Sequence, residues 1–441
     1  MSRSPVIFVL ASIILLAPTH LHSQGYGGPS LLSRGGNQPG QRGRAPVDFN
    51  FYGATRGTYD TGLLAPLVDE EGNLSPVDSY GVQFEFGAYG AKSWKKTSMG
   101  LDYRGDYRKY SQANRFSGVN QALALDFTYR PARRLTYFNR LTAGTTNRAF
   151  GAFSAPAFSD QDNFGVPLNE VYDSRANFAQ VSGGVVYQAS ARSIYMAMGE
   201  GYVIKRKNNS LIGIQGYRAV GSYSYRLTRS DTVGVTYDYI VYNFPRAYGN
   251  AVAHSAIGTY QRRLNRNWQL ELNAGLYGLT AVGTEEVQLS PEIAAILGRR
   301  TGFEAFSRTS IVPQFEFNAS YLLERSRFMA SVRSGITPGN GIYMTSRQDS
   351  MRFGYSYSGI RRLSLGASAG YTQFRSLALR VGDYESIQVG GGMNYQLMEH
   401  LNFSAQIDRR KFESPAVVGR NGTSLAVGLS YSPSRFPLSI W

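Results

Sequence analysis

From Val47 onward, apolar residues alternate with polar or small residues along much of the chain. Clear examples are "WQLELNAGL" (268–276), "FEFNASY" (315–321), "LSLGASAGY" (363–371), "IQVGGGMNY" (387–395) and "LAVGLSY" (425–431). Alternation with a period of two is typical of β-strands that have one apolar face and one polar or small face. The runs last about ten residues, whereas strands of soluble proteins average about five or six. We therefore predict strands that are long enough to cross a lipid bilayer at a tilt.

Many of these runs end in a tyrosine that directly precedes a short polar or basic segment. The tyrosines in this position are Tyr129, Tyr225, Tyr260, Tyr321, Tyr357, Tyr395 and Tyr431. In each case the tyrosine ends one strand, the polar residues form a tight turn, and the next run returns antiparallel. A phenol ring prefers hydrocarbon while its hydroxyl prefers water, so it suits a membrane interface. We predict that these tyrosines form an aromatic girdle on the periplasmic side.

Longer connections alternate with the short turns, and the most extended are 59–78, 151–173 and 283–309. Backbone groups in lipid must find partners within the protein, so strands that span a membrane must close into a barrel. We predict an all-β fold over residues 47–432, a transmembrane antiparallel up-and-down β-barrel of about eighteen strands, with sixteen as the alternative count. Soluble propellers and solenoids are the competing folds. In the segment 211–226, Ile212 and Ile214 have one parity and Tyr223 and Tyr225 the other, which predicts a β-bulge.

The N-terminal residues have a different composition. Residues 1–23 contain a basic start, an apolar segment "VIFVLASIILLA" and the small residue Ser23, the pattern of a secretory signal peptide. Residues 24–46 are rich in Gly, Pro and Arg and predict a flexible basic periplasmic leader. The chain has no cysteine and a net charge of +16. An exported chain seldom meets nucleic acid, so we expect no nucleic-acid partner. The positive charge is instead concentrated in the short turns. There the basic side chains either bind anionic groups or simply keep the turns hydrated.

On these features the mature chain resembles the bacterial outer-membrane β-barrel superfamily, including its porin-like members. The resemblance implies a location in the bacterial outer membrane, outer-membrane lipids as partners and insertion by the outer-membrane assembly machinery. The ending "SRFPLSIW" partly matches the aromatic C-terminus that this machinery recognises in such proteins. It also departs from that pattern, because Pro437 interrupts the alternation. We therefore expect the closing strand to end near Tyr431 and residues 433–441 to form a tail.

The face opposite the apolar one carries charged residues. By parity it includes Glu85, Asp102, Arg104, Asp126, Arg140, Asp238, Glu271, Glu316, Arg333, Arg352, Asp408 and Arg410. Charges on this face are too costly to place in lipid, so we expect them to line the lumen. Acidic and basic residues are mixed, which favours a hydrated channel for small polar solutes. The alternative is a lumen that ion pairs and loops close.

Catalytic and metal-binding patterns are not evident in the sequence. Outside the signal segment only His254 and His400 are histidines, and they lie far apart on the predicted strands. We expect no enzyme activity, no metal and no cofactor. The segment "SPEIAAIL" (290–297) predicts a short helix because Pro291 follows Ser290 at its start. This helix would lie either inside the lumen or over its rim.

Taken together, these expectations favour an outer-membrane, porin-like channel for passive diffusion of small polar solutes. The alternative is a non-enzymatic conduit or scaffold in an envelope export complex, for example one that exports an acidic polysaccharide. The sequence leaves the choice between a monomer and a homo-oligomer open.

Overall fold

A computed structural model describes residues 47–68, 74–111, 117–146, 175–207, 211–338, 344–377, 383–414, 417–433 and 436–438. The predicted signal peptide (1–23), the predicted leader (24–46), the connection 151–173 and Trp441 lie outside the described residues.

The described chain consists almost entirely of β-strands. The first nine are β1 Val47–Val68, β2 Leu74–Ser93, β3 Thr97–Tyr110, β4 Gly118–Ala132, β5 Leu135–Thr146, β6 Ala176–Gln188, β7 Ser193–Arg206, β8 Ile214–Arg226 and β9 Asp231–Phe244. The next nine are β10 Gly249–Arg263, β11 Trp268–Gln288, β12 Thr301–Leu322, β13 Ser326–Thr337, β14 Ser346–Ile360, β15 Leu363–Ser376, β16 Tyr384–Met398, β17 Leu401–Ser414 and β18 Val417–Tyr431. A short helix, α1 Pro291–Leu297, and a short strand, β19 Phe436–Leu438, complete the described elements.

The strands form one closed sheet. Each strand from β1 to β18 pairs antiparallel with its neighbours in sequence, and β1 also pairs with β18 from Gly53↔Tyr431 to Thr61↔Thr423. The predicted antiparallel up-and-down barrel and its count of eighteen strands are confirmed, and the alternative count of sixteen is wrong. Closure supplies every strand with two neighbours, which a β structure in lipid requires.

Within the described part of the chain, no helix is both long enough and apolar enough to cross a bilayer.

The two ends of the barrel differ in their connections. At one end, here called the turn end, short segments such as 94–96, 133–134 and 361–362 join the strands. At the other end, called the loop end, the connections vary more, from 415–416 up to the long segment between β5 and β6. Short turns and more variable connections therefore alternate along the chain, as predicted. The reason is that successive connections of an up-and-down barrel lie at opposite ends.

Two of the predicted long connections are largely strand. In the segment 59–78, β1 continues to Val68 and β2 begins at Leu74. In the segment 283–309, β11 continues to Gln288 and β12 begins at Thr301. The prediction failed because these extensions lack a clear apolar alternation. Hairpin hydrogen bonds hold them as strands where no lipid selects one apolar face.

The outer face of the barrel is apolar. Large apolar side chains with the same parity along each strand are exposed, for example Phe84, Phe353, Val389 and Val427. The seven predicted girdle tyrosines share this outward parity at the turn end, and Tyr321 stacks on Trp268 at a ring-centroid distance of 4.6 Å. A ring of aromatic side chains beside the short turns is typical of a membrane-water interface.

The predicted bulge in the segment 211–226 is wrong. Strand β8 pairs with β7 and with β9 without a register shift. Ile214 faces the lumen and is fully buried, whereas Tyr223 and Tyr225 face outward. Apolar residues therefore occupy both faces of β8. In the sequence this gives apolar residues of both parities, which a β-bulge would also produce.

The C-terminal part of the chain continues along β1 after β18 ends. Strand β18 ends at Tyr431 as expected, and β19 pairs with β1 from Val47↔Leu438 to Phe49↔Phe436. Pro437 faces Asp48 in this short ladder. Part of the predicted tail, 433–441, therefore lies against the first strand at the turn end.

Candidate functional site

The twelve predicted lumen-lining residues all lie on the face opposite the exposed apolar side chains. The register pairs several of them directly, such as Asp126 with Arg140 and Glu316 with Arg333. Asp102, Asp126, Asp238, Glu271, Asp408 and Arg410 are buried, and Glu85, Arg104, Arg140, Glu316, Arg333 and Arg352 are partly buried. Their shared orientation follows from the strict alternation of side chains along each strand.

On strands β1 to β5 the inward charges form ion pairs. Arg104 binds Asp102 two residues earlier on β3 at 2.7 Å, and Arg108 binds Asp106 in the same way at 2.8 Å. Neighbouring strands supply two more pairs, listed here with their N–O distances: Arg56–Glu85 at 3.2 Å and Arg140–Asp126 at 3.6 Å. Asp106 and Arg108 were not among the predicted residues, although they continue the parity of Asp102 and Arg104 and could have been found by it. This part of the wall is polar and locally neutral.

A second group of polar residues lies on β6 to β9. Arg218 on β8 binds Asp238 on β9 through two nitrogens, with Nε 2.8 Å from Oδ1 and Nη2 2.6 Å from Oδ2. On the adjoining strands, Gln180 donates a hydrogen bond of 2.8 Å to Glu200. Sequence reasoning missed Arg218 because the supposed bulge in β8 hid its parity.

Strands β10 to β12 carry carboxylates that accept hydrogen bonds from amides. Asn273 donates to Glu271 at 3.0 Å, and Asn318 donates to Glu316 at 3.1 Å. The register places Glu271 opposite Asn318 and Asn273 opposite Glu316, so the four side chains form one acid–amide patch. Neither carboxylate has an ion pair within 4.0 Å among the described residues.

The acid–amide patch lies across the barrel from the arginine-containing strands. In the order of the closed sheet, β11 is as far from β2 as eighteen strands allow. Arg56, Arg104 and Arg108 on the strands around β2 therefore face the carboxylates of β11 and β12 across the lumen. This part of the lumen therefore has arginine–carboxylate pairs on one side and acids with amides on the other.

The loop-end half of the lumen is apolar between β6 and β13. Its buried members include Phe178, Ile204, Tyr242, Leu279 and Phe306, all on inward positions. Ile204 and Leu279 are at most 1 % exposed, which requires that other side chains cover them inside the barrel. The lumen is therefore constricted in this half by apolar packing.

The end of β13 contributes to this apolar constriction. Strands β12 and β13 pair only from Leu322↔Arg327 to Phe315↔Ser334, and β13 then leaves β12. Pro313, which lacks a backbone donor, lies on β12 beside the point of separation. Beyond it, Ile336 and Met344 are buried in the apolar cluster.

Met344 reaches as far as β10. A Cβ atom placed on Gly249 would lie 3.3 Å from the Met344 sulfur, so the glycine leaves room for this contact. Met344, which lies just before β14, thus packs inside the lumen. The predicted helix in 283–309 is confirmed as α1, but none of its residues is buried, so α1 does not pack within the lumen.

The two histidines lie outside any candidate active site. His254 faces outward on β10, where its Nδ1 is 2.6 Å from the Tyr237 hydroxyl. His400 lies in the turn between β16 and β17. Among the described residues, no group of three or more His, Cys, Asp or Glu side chains could hold a metal ion.

Comparison with known proteins gives matches in structure alone. No family model matches the sequence, and no curated protein is similar to it in sequence. Among solved structures, the chain is similar to OccK9 (OpdG) of Pseudomonas aeruginosa, with 13% identity and a TM-score of 0.45 over 88% of this chain and 99% of that chain. It is also similar to OccK2 (OpdF) of the same species in complex with glucuronate, with 11% identity and a TM-score of 0.44 over 89% and 100%.

A further similar structure is a BenF-like porin from Pseudomonas fluorescens Pf-5, with 10% identity and a TM-score of 0.44 over 88% of this chain and 99% of that chain. The closed eighteen-stranded sheet, its apolar exterior and its aromatic girdle belong to this chain itself, and they are the features of a porin-like β-barrel of the bacterial outer membrane.

Proposed function

We propose that this protein is a passive diffusion channel for small polar solutes across the outer membrane, and that it has no enzymatic activity. The observation that carries the proposal is the paired charge on the inward face of β1 to β5, opposite the acid–amide patch on β10 to β12. Charged side chains on both walls are solvated only if water enters between them. Barrels of this size have room for an aqueous channel.

The local pairing of charges also bears on the class of solute. Four arginines on β1 to β5 have a carboxylate within 4.0 Å, namely Arg56, Arg104, Arg108 and Arg140. Such a wall offers hydrogen bonds to polar solutes but has little net charge to select an anion. The proposal is therefore for neutral or zwitterionic solutes as well as small ions.

The apolar constriction favours a second candidate function. Met344 and Ile336 are buried in the apolar cluster in the loop-end half of the lumen. If the lumen stays closed there, the barrel would act as a scaffold or conduit component in an envelope export complex. Export of an acidic polysaccharide would need unpaired arginines along its path. The ion pairs on β1 to β5 do not favour that cargo.

Planar lipid bilayers separate the two candidates. Purified protein is added to a bilayer bathed in KCl, and single-channel current is recorded against voltage. A diffusion channel gives stable steps with a linear current–voltage relation. Vesicle flotation shows whether the protein has inserted into the membrane. If it has inserted but passes no current at any voltage, the channel is rejected and the scaffold is supported.

A further inference from the structure

The hydrogen-bonded ladder between β12 and β13 ends early. The two strands pair no further than Phe315↔Ser334, although β12 extends well beyond that point towards the loop end. On its other side, β12 stays paired with β11 as far as Gln288↔Thr301. Among the described residues, the segment 301–314 of β12 therefore has a strand neighbour on one side only.

The separation of β12 from β13 begins within the apolar band of the barrel. The outward residues of β12 just beyond the last pair are Pro313 and Ile311, and Ile311 is 76 % exposed. The next outward residues, Thr309 and Ser307, are polar, so the apolar band ends near them. The gap therefore begins at a depth where lipid surrounds the barrel, in the half of the membrane that faces the loop end.

Beyond Ser334, the end of β13 lies inside the barrel. Phe328 is exposed on the outward face, and strict alternation along β13 would place Ile336 on the same face. Ile336 is instead buried in the apolar cluster of the lumen, and its neighbours Gly335 and Thr337 are buried as well. A Cβ atom placed on Gly335 would lie 3.9 Å from the ring of Tyr277, an inward residue of β11. The end of β13 therefore packs over the inner face of the wall.

The backbone of β12 shows which groups face the gap. The Leu322 N–H donates to the β11 side, whereas the Leu323 N–H donates to the β13 side. Because these directions alternate along a strand, the odd-numbered residues of β12 point towards β13. Pro313 has no N–H to leave unpaired there, but Ile311 has no strand partner on that side among the described residues. An open edge at membrane depth is tolerated where it lines a water-filled cavity, so the gap opens into the lumen.

Apolar side chains line the gap on both sides of the wall. Ile311 and Pro313 face the lipid, and Val312 and Ile336 are 3 % and 7 % exposed on the lumen side. A charged solute would lose its hydration on this path, whereas an alkyl or aromatic group stays in apolar surroundings throughout. The gap therefore suits an apolar molecule.

Two buried oxygen atoms at the margin of the gap are free to bind a hydrogen-bond donor. Gln314 Oε1 and Ser334 Oγ are buried and have no hydrogen-bond partner among the described residues. A buried acceptor without a partner is destabilising, so a donor that a solute supplies would be bound favourably. An apolar molecule that carries a hydroxyl or an amide N–H fits this combination.

We propose that the barrel wall has a lateral opening between β12 and β13, through which small apolar molecules with a hydrogen-bond donor pass between the lumen and the outer leaflet. The apolar cluster on the inward face of β6 to β13 is the lumen part of this route. The lateral route is distinct from the axial diffusion of polar solutes, because a protein that passes no ionic current can still have the opening.

Photolabelling from within the membrane tests whether the opening exists. The full-length protein is reconstituted in vesicles that contain phosphatidylcholine with a diazirine in one acyl chain. This probe stays in the bilayer, so it reaches an inward side chain only through the wall. After irradiation, mass spectrometry of peptides identifies the labelled residues.

In the native chain we expect labels on Ile336 and Met344, in addition to the lipid-facing Phe353. Ser368, which faces the lumen beside intact ladders, should stay unlabelled. Labels that are confined to outward residues such as Phe353 would overturn the proposal.

Gly335→Trp places an indole behind the opening, where a Cβ atom meets only ordinary contacts with Tyr277 and Gln314. We expect about tenfold less label on Met344, because the acyl chain must then displace the indole. The matched control is Ser331→Trp, which adds the same group on the inward face of β13 where Asn318↔Ser331 keeps the ladder closed. It should be labelled like the native chain.

Equal labelling of Met344 in Gly335→Trp and in the native chain would also overturn the proposal, since the probe would then reach Met344 by another path. Far-UV circular dichroism checks that both variants fold. If Gly335→Trp does not fold, the labelling pattern of the native chain decides alone.

A smaller probe tests the chemical class of the solute. Decanol that carries a diazirine should label Met344 about fivefold more strongly than its methyl ether, because the ether cannot donate a hydrogen bond to Gln314 or Ser334. Equal labelling by the alcohol and the ether would refute the role of these two acceptors.

Discussion

Arg218 Nη2 lies 2.6 Å from Asp238 Oδ2 between β8 and β9, and the Asp238 side chain is fully buried. The pair lies on the inward face next to the apolar cluster, where Asp238 has no access to water. Removal of one partner from a buried ion pair leaves an uncompensated charge, at a cost of about 3–5 kcal/mol. We therefore expect Arg218→Met to lower the free energy of unfolding by roughly that amount, measured by urea unfolding in phospholipid vesicles.

The double variant Arg218→Met, Asp238→Leu is the control for this prediction. Replacement of both partners by apolar residues of similar size is often nearly neutral. The double variant should therefore be more stable than Arg218→Met alone. A double variant as unstable as the single one would show that the arginine stabilises the wall by its packing and not by its charge.

The acid–amide patch should set the ion selectivity of the channel. Glu271 and Glu316 lack a basic partner within 4.0 Å among the described residues, so their charges act on mobile ions in the lumen. The double variant Glu271→Gln, Glu316→Gln should shift selectivity towards anions, measured as a change in reversal potential under a KCl gradient. The variants keep the amide hydrogen bonds, because glutamine also accepts from Asn273 and Asn318.

Glu413→Gln is the matched control for selectivity. Glu413 lies on the outward face at the loop end of β17 and binds Lys411 at 2.5 Å. Its removal should leave the reversal potential unchanged. An equal shift in the control and in the patch variant would mean that general surface charge, and not the lumen wall, controls selectivity.

The sequence predicted the barrel because lipid imposes one simple pattern on every strand. Most outward positions in the apolar band are apolar, so residues such as Leu425, Val427 and Leu429 reveal the strand and its outward face. The same parity placed Asp102 and Glu271 on the inward face. The extensions of β1 and β11 do not contact lipid, so nothing selects an apolar face there. The alternation disappears, and the ends of these strands could not be predicted.

The apolar constriction could not be predicted from local pattern. It forms because β13 leaves β12 after Ser334 and because Met344, just before β14, packs beside Gly249 on β10. That contact joins residues far apart in sequence, and no periodicity encodes it. The sequence does contain its local cause, since Pro313 and Gly335 lie where the two strands separate.

Met344 should control the width of the lumen at its loop end. It is 3 % exposed and packs in the apolar cluster, so Met344→Ala removes side-chain volume from the constriction. We expect a larger single-channel conductance in a planar bilayer, together with a loss of about 2–5 kcal/mol of stability, the usual cost of truncating a buried methionine.

Met351→Ala removes the same atoms from the outward face of β14, where Met351 is exposed, and should leave conductance unchanged. If Met344→Ala and Met351→Ala give the same conductance as the native chain, Met344 does not limit the flow of ions.

Adjacent positions on β15 test which face of the wall meets lipid. Ala369 is the register partner of Phe353 on β14 and of Val389 on β16, which are both exposed on the outward face. Ser368 has the opposite parity and faces the lumen. An arginine near the bilayer midplane on the lipid face costs about 2–4 kcal/mol, because the charge loses its hydration there. Ala369→Arg should therefore lower the free energy of unfolding in vesicles by about this amount, with little effect on conductance.

Ser368→Arg should behave in the opposite way. Its charge enters the lumen, where water and the carboxylates of the wall can solvate it, so the free energy of unfolding should change by much less than in Ala369→Arg. The added side chain should lower the single-channel conductance. The two substitutions lie one position apart in sequence and place the same group on opposite faces. If the barrel has lipid outside and water inside, their effects on stability and conductance must differ. Equal destabilisation by both would mean that the two faces have the same surroundings, and that result would contradict the membrane barrel itself.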